Sequence, residues 1–285
     1  MNSPKTTRGL RRLKQLLAFV VPVLFLVTNA FAEEERVLRV AADPNNLPFS
    51  NDRLEGFENK IAELIARELP CRIEYHWRAQ RRGFFRETLK HGGIDLVLGV
   101  PSHFDMALTT APYYRSIYVF VTRLDRNVCV SSFDDPELRK VKVGVQLVGN
   151  DGVDTPPAHA LAARSIVNNV IGFTLYGDYR QRNPPARIID AVANGDVDVA
   201  IAWGPLAGYF AKQSKTPLDV VPVTPEHEGP LRFSFDVSLG VSKKQPELRD
   251  QLEKFLSDHR DEIDGILNEY NVPRVTSQPH LTSSK

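Results

Sequence analysis

Long apolar runs, metal-binding patterns and catalytic motifs are all scarce in this sequence of 285 residues. No segment after residue 32 approaches 18 uninterrupted apolar residues, so no membrane-spanning helix is predicted there. Seven histidines are scattered without the spacing of a zinc site, and no serine occupies a nucleophile elbow. Asp151 and Asp154 lack the regularly spaced oxygen ligands of a calcium loop, and no pair of carboxylates stands out for glycoside hydrolysis. The sequence therefore predicts a protein with no metal, no cofactor and no catalytic activity of its own.

The first 32 residues have the pattern of an export signal. Five basic residues precede the apolar stretch 16–27, and Ala30-Phe31-Ala32 supplies the small residues of a cleavage site. Pro22 and the short apolar stretch favour a cleaved signal over the alternative, an uncleaved membrane anchor. We therefore expect a mature chain that begins near Glu33 and is not inserted in a membrane.

Positive charge is also in short supply once this segment is removed. Five basic residues and no acidic ones leave with it, so the formal net charge changes from +1 to −4. No net positive field remains to attract phosphates, and nucleic-acid binding is not expected. The 253 remaining residues are enough for one large domain or for two lobes.

Cysteine is limited to Cys71 and Cys129. Export places both in an oxidising compartment, where disulfides persist. One disulfide between them and two free thiols are both compatible with the sequence, because the sequence does not give the Cα separation that a bridge requires.

Alternating strand and helix patterns fill both halves of the mature chain. In the first half they predict strands 38–42, 72–77 and 94–100, with helices 56–69 and 83–91 between them. In the second half they predict strand 141–145, a helix within 158–170, a helix from about 186 and a buried strand over 197–203. The halves also match residue by residue: Gly92 with Gly195, Ile94 with Val197, and Asp95 with Asp198. This repetition indicates two βα lobes of similar build.

Two strands are expected to cross between these lobes. Residues 117–122 are β-branched and aromatic, and residues 231–241 alternate as a strand before a long helical pattern that ends near Leu267. One strand takes the chain out of the first lobe and the other returns it. We thus predict an α/β fold of two Rossmann-like lobes, 33–122 plus 233–285 and 123–232, joined by two hinge strands with a cleft between them.

Several short motifs resemble those of the type II periplasmic solute-binding proteins of family 3, which include receptors for polar amino acids. The motifs are DPNNLPF at 43–49, Gly56-Phe57-Glu58, IDLVLG at 94–99, Pro112-Tyr113-Tyr114, VGVQ at 143–146 and DVSLGVSK at 236–243. The resemblance covers nearly all of the mature chain. It implies the periplasmic binding protein-like II fold and a location in the periplasm.

The sequence departs from this family at the ligand anchors. Amino acid receptors of the family usually place an arginine before the double tyrosine to hold the ligand carboxylate, and residues 102–107 contain none. They usually place an acid after the late buried strand to hold the ligand ammonium, and Trp203 stands there. A standard amino acid receptor is therefore not expected. Arg115 is either a substitute for the missing arginine or a solvent-facing residue.

Four segments resemble a narrower group, the periplasmic proteins associated with quinoprotein methanol dehydrogenases, of the MoxJ and XoxJ type. They are QRRGFFRETL, DMALTTAPYYRSIYVFVTR, NDGVDTPPAHAL and DVDVAIAWGPLAGYFA. This resemblance implies an accessory protein that binds a PQQ-dependent methanol dehydrogenase, of the calcium or lanthanide class, and assists its maturation or activity. A c-type cytochrome of the same system is a further candidate partner. The alternative function is a receptor that delivers a small solute other than an amino acid to an ABC importer.

The residues expected to line the cleft lie at strand ends and in the motifs above. They are Asp43, Asn45, Phe49, Phe104, Met106, Thr109, Tyr113, Tyr114, Arg115, Gln146, Asn150 and Trp203. Aromatic side chains in such a mouth suit a peptide segment or a helix of a partner protein. We expect Tyr114 and Phe120 to be core residues, and Tyr113 and Trp203 to be exposed.

A basic and aromatic cluster lies outside these motifs. It consists of Arg78, Arg81, Arg82 and Arg86 around Gly83-Phe84-Phe85. The pattern fits either a surface that docks acidic groups or a solvated helix start with two buried phenylalanines.

Overall fold

The computed structural model describes residues 36–81, 83–90, 93–147, 155–175 and 179–275. The predicted export signal, Arg82, Gly92, Asn150 and residues 151–154 lie outside the described residues.

The first half of the described chain follows the predicted alternation of strands and helices. Its elements are β1 (Val37–Ala42), β2 (Asn45–Asn46), β3 (Ser50–Asn51), α1 (Phe57–Glu68), β4 (Arg72–Trp77), a π-helical turn (Arg86–Lys90), β5 (Leu96–Pro101) and β6 (Leu108–Thr109). The apolar stripe of α1 is completely buried at Phe57, Ile61 and Ile65. β1 pairs in parallel with both β4 and β5, as strands joined by helical crossovers do.

The second half repeats the alternation. Its elements are β7 (Tyr114–Arg123), β8 (Val143–Leu147), α2 (Pro156–Ala163), β9 (Val170–Thr174), α3 (Arg187–Asn194), β10 (Val199–Trp203), α4 (Gly204–Gln213), β11 (Leu218–Pro222), β12 (His227–Glu228), β13 (Leu231–Arg232), β14 (Ser234–Val241), α5 (Pro246–Asp258) and α6 (Arg260–Glu269). β8 pairs in parallel with both β9 and β10. Three 3-10 turns, Leu124–Arg126, Pro136–Arg139 and Pro184–Ala186, complete this half.

The two predicted crossing strands are neighbours in one sheet. The strand order is β4-β1-β5-β14-β7-β10-β8-β9, with β6 paired to β14 and β11 to β7. β14 is antiparallel to both β5 and β7, and β7 is antiparallel to β10. Antiparallel β7 and β14 therefore connect a parallel set of strands on one side to a parallel set on the other.

The buried side chains form two main cores that meet on these strands. The first core is built by β1, β5, α1, α5 and α6, and the second by β7, β8, β10, α3 and α4. Along β7, Tyr114 belongs to the first core and Ile117 to the second. Along the returning chain, Phe233 belongs to the second core and Val237 to the first. The lobe boundaries after residues 122 and 232 stay a prediction.

One predicted helix is shorter than expected, and the structure gives the form of two other predicted helical segments. The helix within 158–170 ends at Ala163, because Ser165 adopts a left-handed φ of 57°, and the chain then forms β9. The terminal pattern is two helices, α5 and α6, which meet at His259. The helix expected over 83–91 is present over residues 84–90 and takes the π-helical form from Arg86 to Lys90; the Thr88 hydroxyl donates to Phe84 O at 2.8 Å.

Both cysteines are free thiols, so the disulfide alternative is not realised. Cys71 precedes β4 and packs against the first core. Cys129 is exposed in the segment that follows β7, on the side of the second core.

His259 joins the two terminal helices to α1 by charge. Its Nδ1 lies 2.8 Å from Glu262 Oε1, its Nε2 lies 3.3 Å from Glu68 Oε2, and its ring stacks on Phe255. The hydrogen bond to Glu262, with that to Glu68, raises the pKa of His259 above its ordinary 6.5. A protonated imidazole therefore stabilises the folded chain below pH 6.5, and this stabilisation is lost as the pH rises through the raised pKa.

We expect His259→Gln to lower the urea midpoint of unfolding at pH 5.5 and to have a smaller effect at pH 8.5. An NMR titration of His259 in the wild-type chain should also give a pKa above 6.5. Equal losses of stability at both pH values would contradict this account, since a neutral packing role does not depend on protonation.

Candidate functional site

The loop after β1 is organised by a buried carboxylate. Asp43 is 2% exposed, and it accepts hydrogen bonds from the backbone N–H groups of Asn45 at 2.9 Å and Gln80 at 2.7 Å. Burial raises the pKa of Asp43, although these two hydrogen bonds and the nearby Arg81 act in the opposite direction. Asp43 thus holds the loop in shape rather than presenting a carboxylate to a ligand.

Asn45, in the same loop, reaches the opposite half of the chain. Its Nδ2 donates to the carbonyl of Gln181 at 2.7 Å, and its Oδ1 accepts from the N–H of Asn183 at 3.3 Å. These hydrogen bonds join a strand-end loop of the first half to the segment 179–183 of the second. We call this contact the seam.

We expect Asn45→Ala to loosen the seam and to lower the free energy of unfolding by about 1 kcal/mol, the usual net value of one or two such hydrogen bonds. The amide of Asn183 loses its acceptor, so its hydrogen–deuterium exchange should accelerate. The matched control is Asn268→Ala on α6, which removes an exposed hydrogen bond donated by Arg274. If both variants accelerate exchange at residue 183 equally, the seam is not held by Asn45.

Three aromatic residues lie between the two main cores. Phe49, Trp203 and Tyr209 each pack against both. The Trp203 ring contacts Tyr118 and Phe235, with centroid distances of 5.3 and 5.9 Å. Its backbone N–H donates to the buried Gln146 side chain at 3.1 Å. Trp203 is half-buried rather than exposed, so the expectation that it projects freely into the cleft is corrected.

Tyr113 was also expected to be exposed, and this prediction is wrong. It is 1% exposed, and Tyr114, expected in the core, is 5% exposed. The Tyr113 backbone N–H donates to the carbonyl of Val237 on β14, which places the ring against Tyr114 in the first core. Phe120 is fully buried, as predicted.

Beneath the two tyrosines lies a buried acid that sequence reasoning did not assign to any role. Glu58 is 8% exposed, and its side chain occupies the space where a Cβ atom of Gly99 would be. Burial raises the pKa of Glu58 to about 8. Its charge acts on Tyr113 and Tyr114, and burial together with this charge raises the pKa of both phenols well above 10. The signal in the sequence was an acid in the first turn of an apolar helix.

Arg115 is not available to hold a ligand carboxylate. Its Nη2 donates to Glu226 Oε2 at 2.8 Å and to Ser234 Oγ at 2.8 Å, and its Nη1 donates to Asp236 Oδ2 at 3.1 Å. Burial raises the pKa of Glu226, but the hydrogen bonds from Arg115 and Ser234 outweigh it and keep that pKa below its ordinary value. Arg115 therefore neither faces solvent freely nor replaces the missing arginine.

Three predicted cleft residues that follow β5 lie in other surroundings. Phe104 packs on Phe85 at a centroid distance of 4.8 Å, in a small third cluster around Phe84 and Val97. Met106 is 39% exposed, and Thr109 pairs with Gly240 of β14. The structure therefore gathers Phe49, Gln146 and Trp203 at the meeting of the cores, and leaves Phe104 in a separate cluster.

Two open grooves lie away from this meeting point. One, of about 710 Å³, is lined by residues of α1 and α6 and by Ile73 of β4, and its apolar lining includes Leu64 and Ile266. The other, of about 480 Å³, lies over the strands of residues 39, 74–76 and 93–94. Neither is lined by a predicted cleft residue. Among the described residues, no three metal-binding side chains are grouped and no helix is long and apolar enough to cross a membrane.

Comparison with known proteins agrees with this architecture. The model of the bacterial extracellular solute-binding proteins, family 3, matches residues 38–272. Protein MoxJ of Paracoccus denitrificans is 32% identical over 92% of this chain and 94% of its own length. Protein MoxJ of Methylorubrum extorquens AM1 is 29% identical over 83% of this chain and 81% of its own length. The crystal structure of periplasmic binding protein XoxJ from Methylobacterium extorquens AM1 is similar with a TM-score of 0.69, at 35% identity over 84% of this chain and 100% of that chain. The predicted fold class and the predicted resemblance are both confirmed.

Proposed function

This chain belongs to the bacterial extracellular solute-binding proteins of family 3, and from that premise we propose that it is a periplasmic accessory protein of a PQQ-dependent methanol dehydrogenase. It binds the dehydrogenase, or a segment of it, in or beside the cleft between the lobes and assists its maturation or activity. It does so by binding and without catalysis. The similarity to MoxJ and XoxJ over nearly the whole described chain supports this proposal.

The observation that carries the proposal is the replacement of ligand anchors by packed aromatic side chains. Trp203 stands where an acid of an amino acid receptor is expected, and it packs against both cores. Arg115 is held by Glu226 and Asp236 and offers no bidentate clamp. At Trp203 a zwitterion would meet an apolar ring in place of an acid that could offset the lost hydration of its ammonium group. An aromatic surface of this kind suits an apolar segment of a protein, since aromatic residues are the usual anchors of protein interfaces.

In this proposal, binding of a partner changes the equilibrium between joined and separated lobes. A dehydrogenase segment that contacts Trp203 and also the loop of Asn45 favours the joined state in which the seam is formed. It shifts that equilibrium only by the difference between its affinities for the joined and separated states. In this proposal the chain holds one dehydrogenase segment while the rest of the enzyme folds or receives its cofactor.

The proposal is tested by affinity capture of the dehydrogenase on the mature chain, and by dehydrogenase activity in cells that lack this chain. We expect capture and a loss of activity. Calorimetry with amino acids and other small periplasmic solutes should give no binding. Tight binding of a small solute, with no capture of the dehydrogenase and full activity in the deleted strain, would favour the importer receptor instead.

The two tryptophans provide a matched pair of variants. Trp203 lies between the cores, whereas Trp77 stacks on Tyr75 at the end of the edge strand β4. We expect Trp203→Ala to weaken capture of the dehydrogenase by tenfold or more, and Trp77→Ala to have little effect. Equal capture by both variants would exclude the cleft as the contact, even if the dehydrogenase is the partner.

A further inference from the structure

The chain after α6 passes from the first core to the second. Tyr270 and Val272 are buried in the first core, and three residues further along Val275 packs against the second. We call residues 270–275 the strap. The two cores are therefore joined by the strap as well as by β7 and β14.

The first half of the strap holds helix α4, whose buried face belongs to the second core. The ring of Tyr270 stacks on that of Tyr209 at a centroid distance of 5.6 Å and an interplanar angle of 15°. Asn271 Nδ2 donates to the carbonyl of Gly208 at 2.9 Å. Helix α4 therefore cannot turn away from α6 without breaking both contacts.

The second half of the strap contacts β7 at the point where that strand passes between the cores. Ser116 is completely buried, and it lies on β7 between the residues of the first core and those of the second. Its hydroxyl donates to the carbonyl of Pro273 at 2.6 Å. The backbone N–H of Val275 donates to the carbonyl of the neighbouring Arg115 at 3.2 Å. The strap is thus hydrogen-bonded to a hinge strand as well as to α4.

The strap itself has little conformational freedom. Asn271 has a left-handed φ of 53°, a conformation that asparagine accepts more readily than most residues, and the ring of Pro273 fixes its own φ. Periplasmic binding proteins that close around a ligand do so by changing the backbone angles of a few hinge residues. Such a change in β7 would here also break the hydrogen bond at Ser116 and move the strap across α4. Rotation between the cores therefore costs contacts that two crossing strands alone would not impose.

We propose that the strap is a conformational lock that holds the two cores in the joined state when no partner is bound. The aromatic surface at Trp203 is then preformed. Pro273 supports it from behind, since a Cβ atom at Gly204, the residue after Trp203, would lie 3.5 Å from the proline ring. A partner that meets a preformed surface does not bear the cost of ordering the lobes. The lock goes beyond the proposed function because it acts in the chain alone, and it sets the starting point of the equilibrium on which a partner acts.

The distance between the cores tests this proposal on the mature chain without the dehydrogenase. Cys71→Ser and Cys129→Ser remove the native thiols. Lys60→Cys on α1 and Asp196→Cys after α3 then place nitroxide labels at exposed positions beside the first and the second core. We expect double electron–electron resonance to give a single narrow distance peak for this labelled chain.

The strap variant, Tyr209→Ala/Asn271→Gly, removes both contacts with α4 and keeps a residue that accepts the left-handed φ. It should raise the population of separated cores by about tenfold or more, which gives a second distance peak. The matched control is Tyr75→Ala/Asn169→Gly, which removes a ring stack within the first half and side-chain hydrogen bonds within the second. The control should keep the single peak.

Circular dichroism and thermal unfolding verify that each variant is folded. If the strap variant is not folded, Lys212→Ala takes its place, because it removes only the exposed hydrogen bond from Lys212 Nζ to the carbonyl of Glu269, and its second peak should be smaller. The lock is overturned by two peaks in the labelled chain without further changes, by a single narrow peak in the variant used, or by equal second peaks in that variant and in the control. Capture of the dehydrogenase is measured separately, so the lock and the proposed function can fail independently.

Discussion

Replacing Glu58 by glutamine is expected to make the protein more stable above neutral pH and to flatten its stability profile. In the unfolded chain this carboxyl ionises near its ordinary pKa of 4.5, whereas burial raises its pKa in the folded chain to about 8. Between these values the unfolded state releases a proton that the folded state keeps, so wild-type stability falls as the pH rises from 4.5 to about 8. At about 1.4 kcal/mol for each tenfold change in proton affinity, the total loss is on the order of 5 kcal/mol. Glutamine has nearly the same shape and no proton to release.

The measurement is urea unfolding of the wild-type chain and Glu58→Gln at pH 5 and pH 9. Glu63→Gln is the matched control, since Glu63 lies on the same helix, is exposed and pairs with Lys60. We expect the control to follow the wild-type profile. If the wild-type chain gains stability from pH 5 to pH 9 relative to Glu58→Gln, the carboxylate has a partner that stabilises its charged form and the account is wrong.

The internal repeat could be recognised in the sequence because equivalent residues have the same structural role in both halves. Asp95 accepts a hydrogen bond from the backbone N–H of Arg39 at 2.8 Å, and Asp198 accepts one from the backbone N–H of Lys142 at 2.9 Å. Each aspartate thus lies just before one buried strand and binds the backbone in or next to a parallel strand of the same sheet. Both aspartates occupy the same place in two similar stretches of sequence. The strands and helices beside them are identified by apolar residues that repeat every 2 or every 3.6 positions.

Elements whose form depends on distant packing were not predictable in the same way. β9 forms because Val170–Thr174 pairs with β8. Its own residues do not alternate between apolar and polar in the way that would predict a strand. β11 likewise pairs with β7, which lies about a hundred residues earlier in the chain. Local propensity is weaker than such tertiary pairing.

The candidate site likewise has some features that the sequence predicted and others that depend on distant contacts. That Trp203 and Phe49 belong to one region followed from their places at strand ends. The burial of Tyr113 did not, because it depends on a backbone hydrogen bond to Val237, more than a hundred residues later in the chain. Nor did the sequence indicate that Arg115 is held by acids more than a hundred residues away.

Replacing Gly208 by alanine is expected to lower the free energy of unfolding by about 2–3 kcal/mol, which is the cost of overpacking a close backbone contact. Gly208 lies on α4, where its carbonyl accepts from Asn271 Nδ2 at 2.9 Å. A Cβ atom at this position would overlap the backbone oxygen of Asn271 and lie 2.9 Å from Pro273. Backbone atoms cannot rotate away as a flexible side chain can. The contact that breaks is the one that holds the chain after α6 against α4, next to the stacked rings of Tyr209 and Tyr270.

Gly265→Ala is the matched control, because Gly265 lies within helix α6 and its Cβ would meet no atom within 4 Å. Alanine is favoured over glycine inside a helix by up to about 1 kcal/mol, so this variant is expected to be more stable than the wild type. The two substitutions are chemically identical and should therefore change the urea midpoint in opposite directions. Since the same helix preference acts at Gly208, the observed loss there understates the cost of the collision. Equal gains in both variants would contradict this account, because they would show that the chain around Asn271 moves away from α4 at little cost.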